Sequence, residues 1–187
     1  MTTFIALLRG INVGTANRLP MAELRALLTG LGHSGVATLL NSGNAVFSAA
    51  QGTPHQHAAA ISAAIADRFG LQVPVVVKTA AELTAIVNDN PFDVASLDPS
   101  QLLVAFVQEA DALAGLNALS AQVAAPEQCV VGKHAAYLHC ANGILASPAA
   151  KALLGKAGKP HKPGAVVVTS RNWATVLKLQ ALAHASA

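Results

Sequence analysis

Ile61-Ser62-Ala63-Ala64-Ile65-Ala66-Asp67-Arg68-Phe69-Gly70-Leu71-Gln72-Val73-Pro74-Val75-Val76-Val77 decides the fold of this 187-residue chain. Ile61, Ile65 and Phe69 recur every fourth residue, the spacing of one helical face. Gly70 then supplies the left-handed cap, and Val73 to Val77 is a β-branched run with its proline near the start, where a strand tolerates one. A helix therefore leads into a strand. Upstream, the apolar run 3–8 ends at Arg9-Gly10 and reads as a buried strand. Pro20 suits the first turn of a helix carrying Met21, Leu24, Leu27, Leu28 and Leu31 on one face, stopped by Gly32. Val36 to Leu40 and Ala45 to Phe47 form a hairpin around Asn41-Ser42-Gly43-Asn44, whose small residues provide turn geometry. The order over residues 1–78 is β-α-β-β-α-β.

Downstream, Thr79-Ala80-Ala81-Glu82 is a capping-box pattern that opens a short helix with Leu83, Ile86 and Val87, ending before Asn90-Pro91. Residues 88–101 hold two prolines and three aspartates and read as a linker. The pattern then recurs: a strand over 102–107, a helix over 111–120 with Leu113, Leu116 and Leu119, a hairpin of 128–131 with 135–140, and a helix from Ser147-Pro148 through Leu154. A Gly/Lys/Pro-rich loop over 155–164 precedes a strand over 165–168, and Thr169 or Ser170 caps a last helix carrying Trp173, Val176, Leu177 and Leu182. The expected class is α+β: two ferredoxin-like subdomains with antiparallel sheets, over 1–78 and 102–187, plus a linking helix and loop over 79–101 and a C-terminal helix.

Composition narrows the function classes. With 53% hydrophobic and 11% charged residues the chain is not disordered. Gly, Pro or polar residues interrupt every apolar run before the length a membrane span needs, and no basic residue precedes the N-terminal apolar stretch, so a soluble cytoplasmic protein is expected. Two cysteines, Cys129 and Cys140, are too few for a disulfide framework. The net charge of +3 is unevenly spread. Residues 1–131 hold all nine carboxylates, whereas 132–187 hold seven basic residues and none. Such a block attracts phosphorylated small molecules, nucleic acid or anionic surfaces, or is simply a solvated face.

There is no phosphate loop, no dinucleotide-binding glycine pattern, no nucleophile elbow and no zinc spacing. His55 and His57, two apart near a helix start, do not share a face, so no metal site is expected there. The remaining candidates are polar residues at element ends. Arg9, Asn12 and Asn17 lie at the exit of the first strand, where Gly10 and Gly14 let backbone amides approach a ligand; the same residues also suit a loop closed by asparagine hydrogen bonds. Ser42 and Asn44 belong to the hairpin. Arg171-Asn172 is expected in the first turn of the last helix. A cation there opposes the helix dipole by roughly 0.3–1 kcal/mol, and an anion docked on the free amides would reverse the sign. Lys178 lies two turns on. Trp173 and Tyr137 are expected in the core.

Leu8-Arg9-Gly10-Ile11-Asn12-Val13-Gly14, Pro20-Met21-Ala22-Glu23-Leu24, Asn41-Ser42-Gly43-Asn44-Ala45-Val46-Phe47, Val73 to Val77, Asn90-Pro91-Phe92 and Arg171-Asn172-Trp173-Ala174-Thr175-Val176-Leu177-Lys178-Leu179 together resemble the bacterial domain-of-unknown-function family 1697. The resemblance spans nearly the whole chain and implies two related α+β subdomains, a cytosolic setting and no established activity, cofactor or substrate. Arg9, Asn12, Asn17, Ser42, Gly43, Asn44, Arg171, Asn172 and Lys178 fall within its motif positions. The chain departs from it at Gly14-Thr15, where members often read Gly-Gly, and in lacking adjacent Ser-Lys-Leu after the second hairpin.

Three readings follow. The first is a site for a small anion, a phosphate or carboxylate, built from the first-strand loop, the Asn-Ser-Gly-Asn hairpin and the Arg-Asn-Trp segment. The second is a nucleic-acid-binding module, motivated by the basic block and by an element order shared with RNA-recognition motifs, although the first and third strands offer only Phe4 and Phe47 for stacking. The third is a protein-interaction domain. Reaction class, cofactor and oligomeric state stay open.

Overall fold

The structure is a computed structural model and describes residues 1–14, 17–155 and 166–186. Two four-stranded antiparallel sheets form, each from one β-α-β-β-α-β run. The first comprises β1 (Thr2–Leu8), α1 (Met21–Gly30), β2 (Ser34–Leu39), β3 (Asn44–Ala49), α2 (Pro54–Phe69) and β4 (Val75–Thr79), in the order β2-β3-β1-β4. After α3 (Ala80–Asn88), the second comprises β5 (Leu102–Val107), a 3-10 helix (Ala110–Leu116) running into α4 (Asn117–Ser120), β6 (Gln128–Val131), β7 (Ala136–His139), α5 (Pro148–Leu154) and β8 (Val168–Asn172), in the order β6-β7-β5-β8. Helix α6 (Trp173–Ala185) closes the described chain. Both units have the ferredoxin-like order, as the sequence pattern leads one to expect.

Local chemistry sets the boundaries. Thr53 and Gln56 form a reciprocal capping box that starts α2, Thr79 and Glu82 another that starts α3, and the Ser147 hydroxyl accepts the Ala150 amide at α5. Gly70 ends α2 at φ +67°. Two expectations are corrected. The 111–120 segment is mostly a 3-10 helix, because its leucines recur every third residue, which is the 3-10 period and not the α period. The last helix starts later than expected: Val168–Asn172 continue as β8, and Asn172, not Thr169 or Ser170, caps α6 by accepting the Thr175 amide at 3.0 Å. Thr15, and residues 156–165 of the expected Gly/Lys/Pro loop and strand, lie outside the described residues.

Alternation along the strands places the cores. Phe4, Ala6 and Leu8 of β1 pack with Phe47 beneath α1 and α2, while Ile5 and Leu7, with Val46 and Val76, face the other way. That second face meets Leu83 and Ile86 of α3, Trp173, Val176 and Leu179 of α6, and Val104, Phe106 and Tyr137 of the second sheet. Leu103, Ala105 and Val107 turn from it onto the 3-10 helix, α4 and α5. Helices α3 and α6 thus lie between the sheets, and β1 is apolar from Phe4 to Leu8 because both of its faces are covered there. Tyr137, fully buried, gives its hydroxyl to the Ile86 carbonyl at 2.6 Å.

Cutting the chain at residue 78 would expose Ile5, Leu7, Val46 and Val76. At about 1.5–3 kcal/mol per buried aliphatic side chain, this loss is as large as the whole stability of an ordinary domain, about 5–15 kcal/mol. Residues 1–78 alone are therefore expected to lack a cooperative unfolding transition by circular dichroism, whereas the full chain shows one; a sharp transition in the fragment would mean that the units fold independently.

Candidate functional site at the junction of the sheets

Strand β8 is the outer strand of the second sheet and pairs only with β5, Arg171 lying opposite Val104. Its side chain therefore reaches outwards, over the first sheet. There the guanidinium is spent entirely on neutral oxygens. Nε donates to Asn44 Oδ1; Nη1 donates to Thr169 Oγ1 at 2.9 Å and the Ser170 carbonyl at 2.6 Å; Nη2 donates to the carbonyls of Leu8 at 2.7 Å and of Ser42 and Gly43, each at 3.2 Å. All five N–H groups of an arginine are thereby engaged. Thr169 shares the Arg171 face because strand side chains alternate with period two. Burial pulls the Arg171 pKa down to about 10, which leaves the group charged at neutral pH.

The acceptors are held in turn. Asn44, fully buried at the start of β3, donates to the Leu39 carbonyl and Ser42 Oγ, each at 3.0 Å, so its amide oxygen points to Arg171. Gly43 sits at φ +77°, and a Cβ there would lie 2.7 Å from Leu8 Cβ; only glycine lets the hairpin close onto the end of β1. One residue further, Arg9 crosses in the opposite direction, donating Nη1 to the Val168 carbonyl and Nη2 to the Leu154 carbonyl at 2.9 Å. Desolvation lowers its pKa as well. Gly155 makes room for it, since a Cβ there would lie 2.8 Å from Arg9 Nη2. Each sheet thus sends an arginine to backbone carbonyls of the other unit.

The other candidates hold the loops. Asn12, at φ +56°, clasps Leu19 through both backbone groups at 2.9 Å and also donates to the Asn41 carbonyl at 2.9 Å. Asn17, at φ +49°, donates to the Gly10 carbonyl at 3.2 Å. These are the loop-closing asparagine bonds that the sequence also allowed. Asn172 is the α6 cap, and Lys178 is exposed on that helix, with no part in the cluster. The helix-start argument for Arg171 does not hold, because the residue lies on a strand and meets no helix dipole. Arg9, Ser42, Asn44 and Arg171 nevertheless converge. The parts that sequence reasoning missed are Thr169, Gly155 and the backbone carbonyls, which carry no side-chain signature.

A family model matches residues 1–137, well over half of the chain. The chain belongs to the family described as Protein of unknown function (DUF1697). The matched span contains Arg9, Asn12, Asn17, Ser42 and Asn44 and stops short of Arg171. This DUF1697 member also shares its fold with a solved structure, that of the conserved bacterial protein SP0830 from Streptococcus pneumoniae, with a TM-score of 0.76 at 24% identity over 97% of this chain and 98% of that one. None of the curated proteins compared with the chain matches it.

Elsewhere a cleft of about 340 Å³, lined by Thr53, Pro54, His55, Glu82, Gln108 and Glu109, opens at the far end of β5 from Arg171. Gln108 pairs there with the Val77 backbone like an added strand residue, and its carbonyl accepts the Lys78 ammonium at 2.8 Å. Among the described residues no three His, Cys, Asp or Glu side chains are placed to hold a metal ion.

Replacing Arg171 by methionine would take the donor from six oxygens at once, of which the Gly43 carbonyl keeps the Leu8 amide. The expected cost is roughly 3–5 kcal/mol, since each buried acceptor left without a donor costs about 1–3 kcal/mol and several are left at once. Arg171→Lys should fall between, since an ammonium has three donors and no planar fork. Urea unfolding of both variants measures this, and a loss under about 1 kcal/mol for Arg171→Met would show the network to be energetically slack.

Proposed function

We propose that the junction binds a small anionic molecule bearing a phosphate or carboxylate, with Arg9 as the contacting group and Arg171 as a fixed charge behind it. One observation carries this reading: two guanidinium groups share the junction, and no carboxylate meets either among the described residues. Among the described residues the ion pairs are His55–Glu109, Arg68–Glu23 and Lys78–Glu82, all elsewhere. Carbonyl dipoles solvate the guanidinium groups but do not cancel their charge, so the field of about two positive charges remains for an anion to complete. Arg171 has its N–H groups committed to the protein; its part is electrostatic. Arg9 is only partly buried and suits direct, bidentate contact. Gly10 and Gly14, at φ +71° and +61°, have open space where a side chain would begin, which leaves the backbone beside Arg9 approachable.

The unpaired cysteines, Cys129 and Cys140, suit a reducing compartment, and we propose the cytoplasm. No helix among the described residues is long and apolar enough to cross a membrane. The nucleic-acid alternative loses its stacking platform: Phe4 and Phe47 are 2% and 0% exposed, beneath α1 and α2.

Inorganic phosphate at about ten times its dissociation constant should stabilise the protein by about 1.4 kcal/mol, which for a chain of this size raises Tm by roughly 3–5 °C. Matched chloride should not, and Arg9→Gln should abolish the shift while keeping the fold. An equal shift in Arg9→Gln would place any bound phosphate elsewhere. Binding of DNA or RNA at low salt, with no response to phosphate, would favour the alternative.

A further inference from the structure

His57 is buried and His33 half-buried at the edge of the core under α1 and α2. The ring of His33 stacks on Phe47 with centroids 4.3 Å apart, the ring of His57 meets Phe4 edge-on at 4.5 Å, and the two imidazoles lie 5.0 Å apart at 78°. Nε2 of each is buried with no hydrogen-bond partner. Gly52, at φ +100°, closes the loop before α2 over this pair, and a Cβ there would lie 2.7 Å from His57 Nε2. The cluster ties the start of α2 and the residue before β2 to the aromatic face of the first sheet.

Among the described residues no counter-charge faces the pair. β1, β2, β3 and residues 50–53 contain no charged side chain. On α1, Glu23 is engaged by Arg68 of α2 and Arg25 donates to Thr38. On α2, His55 points out to Glu109, and Asp67 is exposed roughly three turns beyond His57. Glu82 is bound to Thr79 at the end of β4, Lys78 is held by the Gln108 carbonyl and Glu82, and the Met1 amino group is at the exposed terminus.

We infer that His33 and His57 form an acid-sensitive latch, which holds the start of α2 on the first sheet while both imidazoles are neutral and releases it when they take up protons. A proton on either Nε2 would place a buried charge without an acceptor. Contact with a phenylalanine face offsets part of that cost for the first proton, but a second must also face the first across 5.0 Å. Desolvation depresses both pKa values, with mutual repulsion adding to it at His33; the Gln51 carbonyl opposes the shift at His57 and is outweighed. The unfolded chain therefore takes protons that the folded one refuses. Stability is complete above the ordinary histidine value of about 6.5 and is lost as pH falls from there through the depressed values. Thr53, Pro54 and His55 also wall the 340 Å³ cleft, so releasing the start of α2 opens that cleft.

The other groups whose pKa values are shifted act outside pH 5–7. Asp98, held low by Ser100, acts below the ordinary carboxylate range, and the raised Cys129, Cys140 and Tyr137 act only in alkali. Urea unfolding across that window should show the unfolding constant rising by up to about tenfold per pH unit for each histidine. His33→Phe and His57→Phe should each remove one such factor, and the double variant should lose both. A double variant with the wild-type pH dependence overturns the proposal. Should the double variant fail to fold, proton NMR titration of the wild-type imidazoles decides: values well below 6.5 are expected, and ordinary ones overturn the latch. Hydrogen exchange at pH 5.5, corrected for the intrinsic rate, should show protection lost in the first half of α2 while β1 stays protected; equal loss in both would overturn the local release.

Discussion

The bridge from Arg171 to the first sheet constrains the rest of this molecule. A guanidinium removed from water needs every N–H answered, and here the answers come from the end of β1, the β2–β3 hairpin and β8 itself. That demand fixes the separation of the two sheets at one end, as the apolar layer of α3 and α6 fixes it along their faces. Arg9 repeats the device in the opposite direction. Solvation by dipoles, without a carboxylate, holds the units together and yet leaves the junction positively charged. The chemistry that assembles the units is thus the same that the proposed anion site draws on.

Helices α3 and α6 make the two ferredoxin-like units into one structure. In an isolated unit of this order one sheet face is covered by its two helices and the other is open. Here the open faces are turned towards each other, with α3 and α6 between them. Any function that requires an exposed sheet face is removed, and recognition is left to element ends and loops, where Arg9, Gly10 and the hairpin lie. The imidazole pair and the Gln108–Lys78 contact sit away from that end, so the molecule carries polar groups at both ends of β1.

The candidate site was legible in the sequence as residues but not as geometry. Arg9, Ser42, Asn44 and Arg171 stood out as polar groups at the ends of apolar elements, and they do converge. The reason offered for Arg171 was local, a cation at a helix start, and it was mistaken because Val168–Asn172 extend as a strand. Thr169-Ser170 looks like a helix cap in isolation, but pairing with β5 supplies the hydrogen bonds that make the extended form win. Asn12 and Asn17 could read as ligand donors or loop ties; the structure uses them as ties. His33 and His57 carried no signal at all, being 24 residues apart and joined only by packing.

What the sequence determined by itself was whatever depends on near neighbours: the period-four face of α2, its Thr53 box and Gly70 cap, the Thr79–Glu82 box, the threefold leucines of the 3-10 helix, and through their order the repeated ferredoxin-like plan. Those features involve bonds between residues a few positions apart, so pattern suffices. Tertiary structure alone decided that α3 and α6 lie between the sheets, that β8 extends to Asn172, and that Arg171 finds four of its six partners 127 to 163 positions away. Most of these partners are backbone carbonyls, which every residue carries. A sequence cannot announce an interaction whose acceptors are common to all twenty amino acids, and only the fold selects which of them meet the guanidinium.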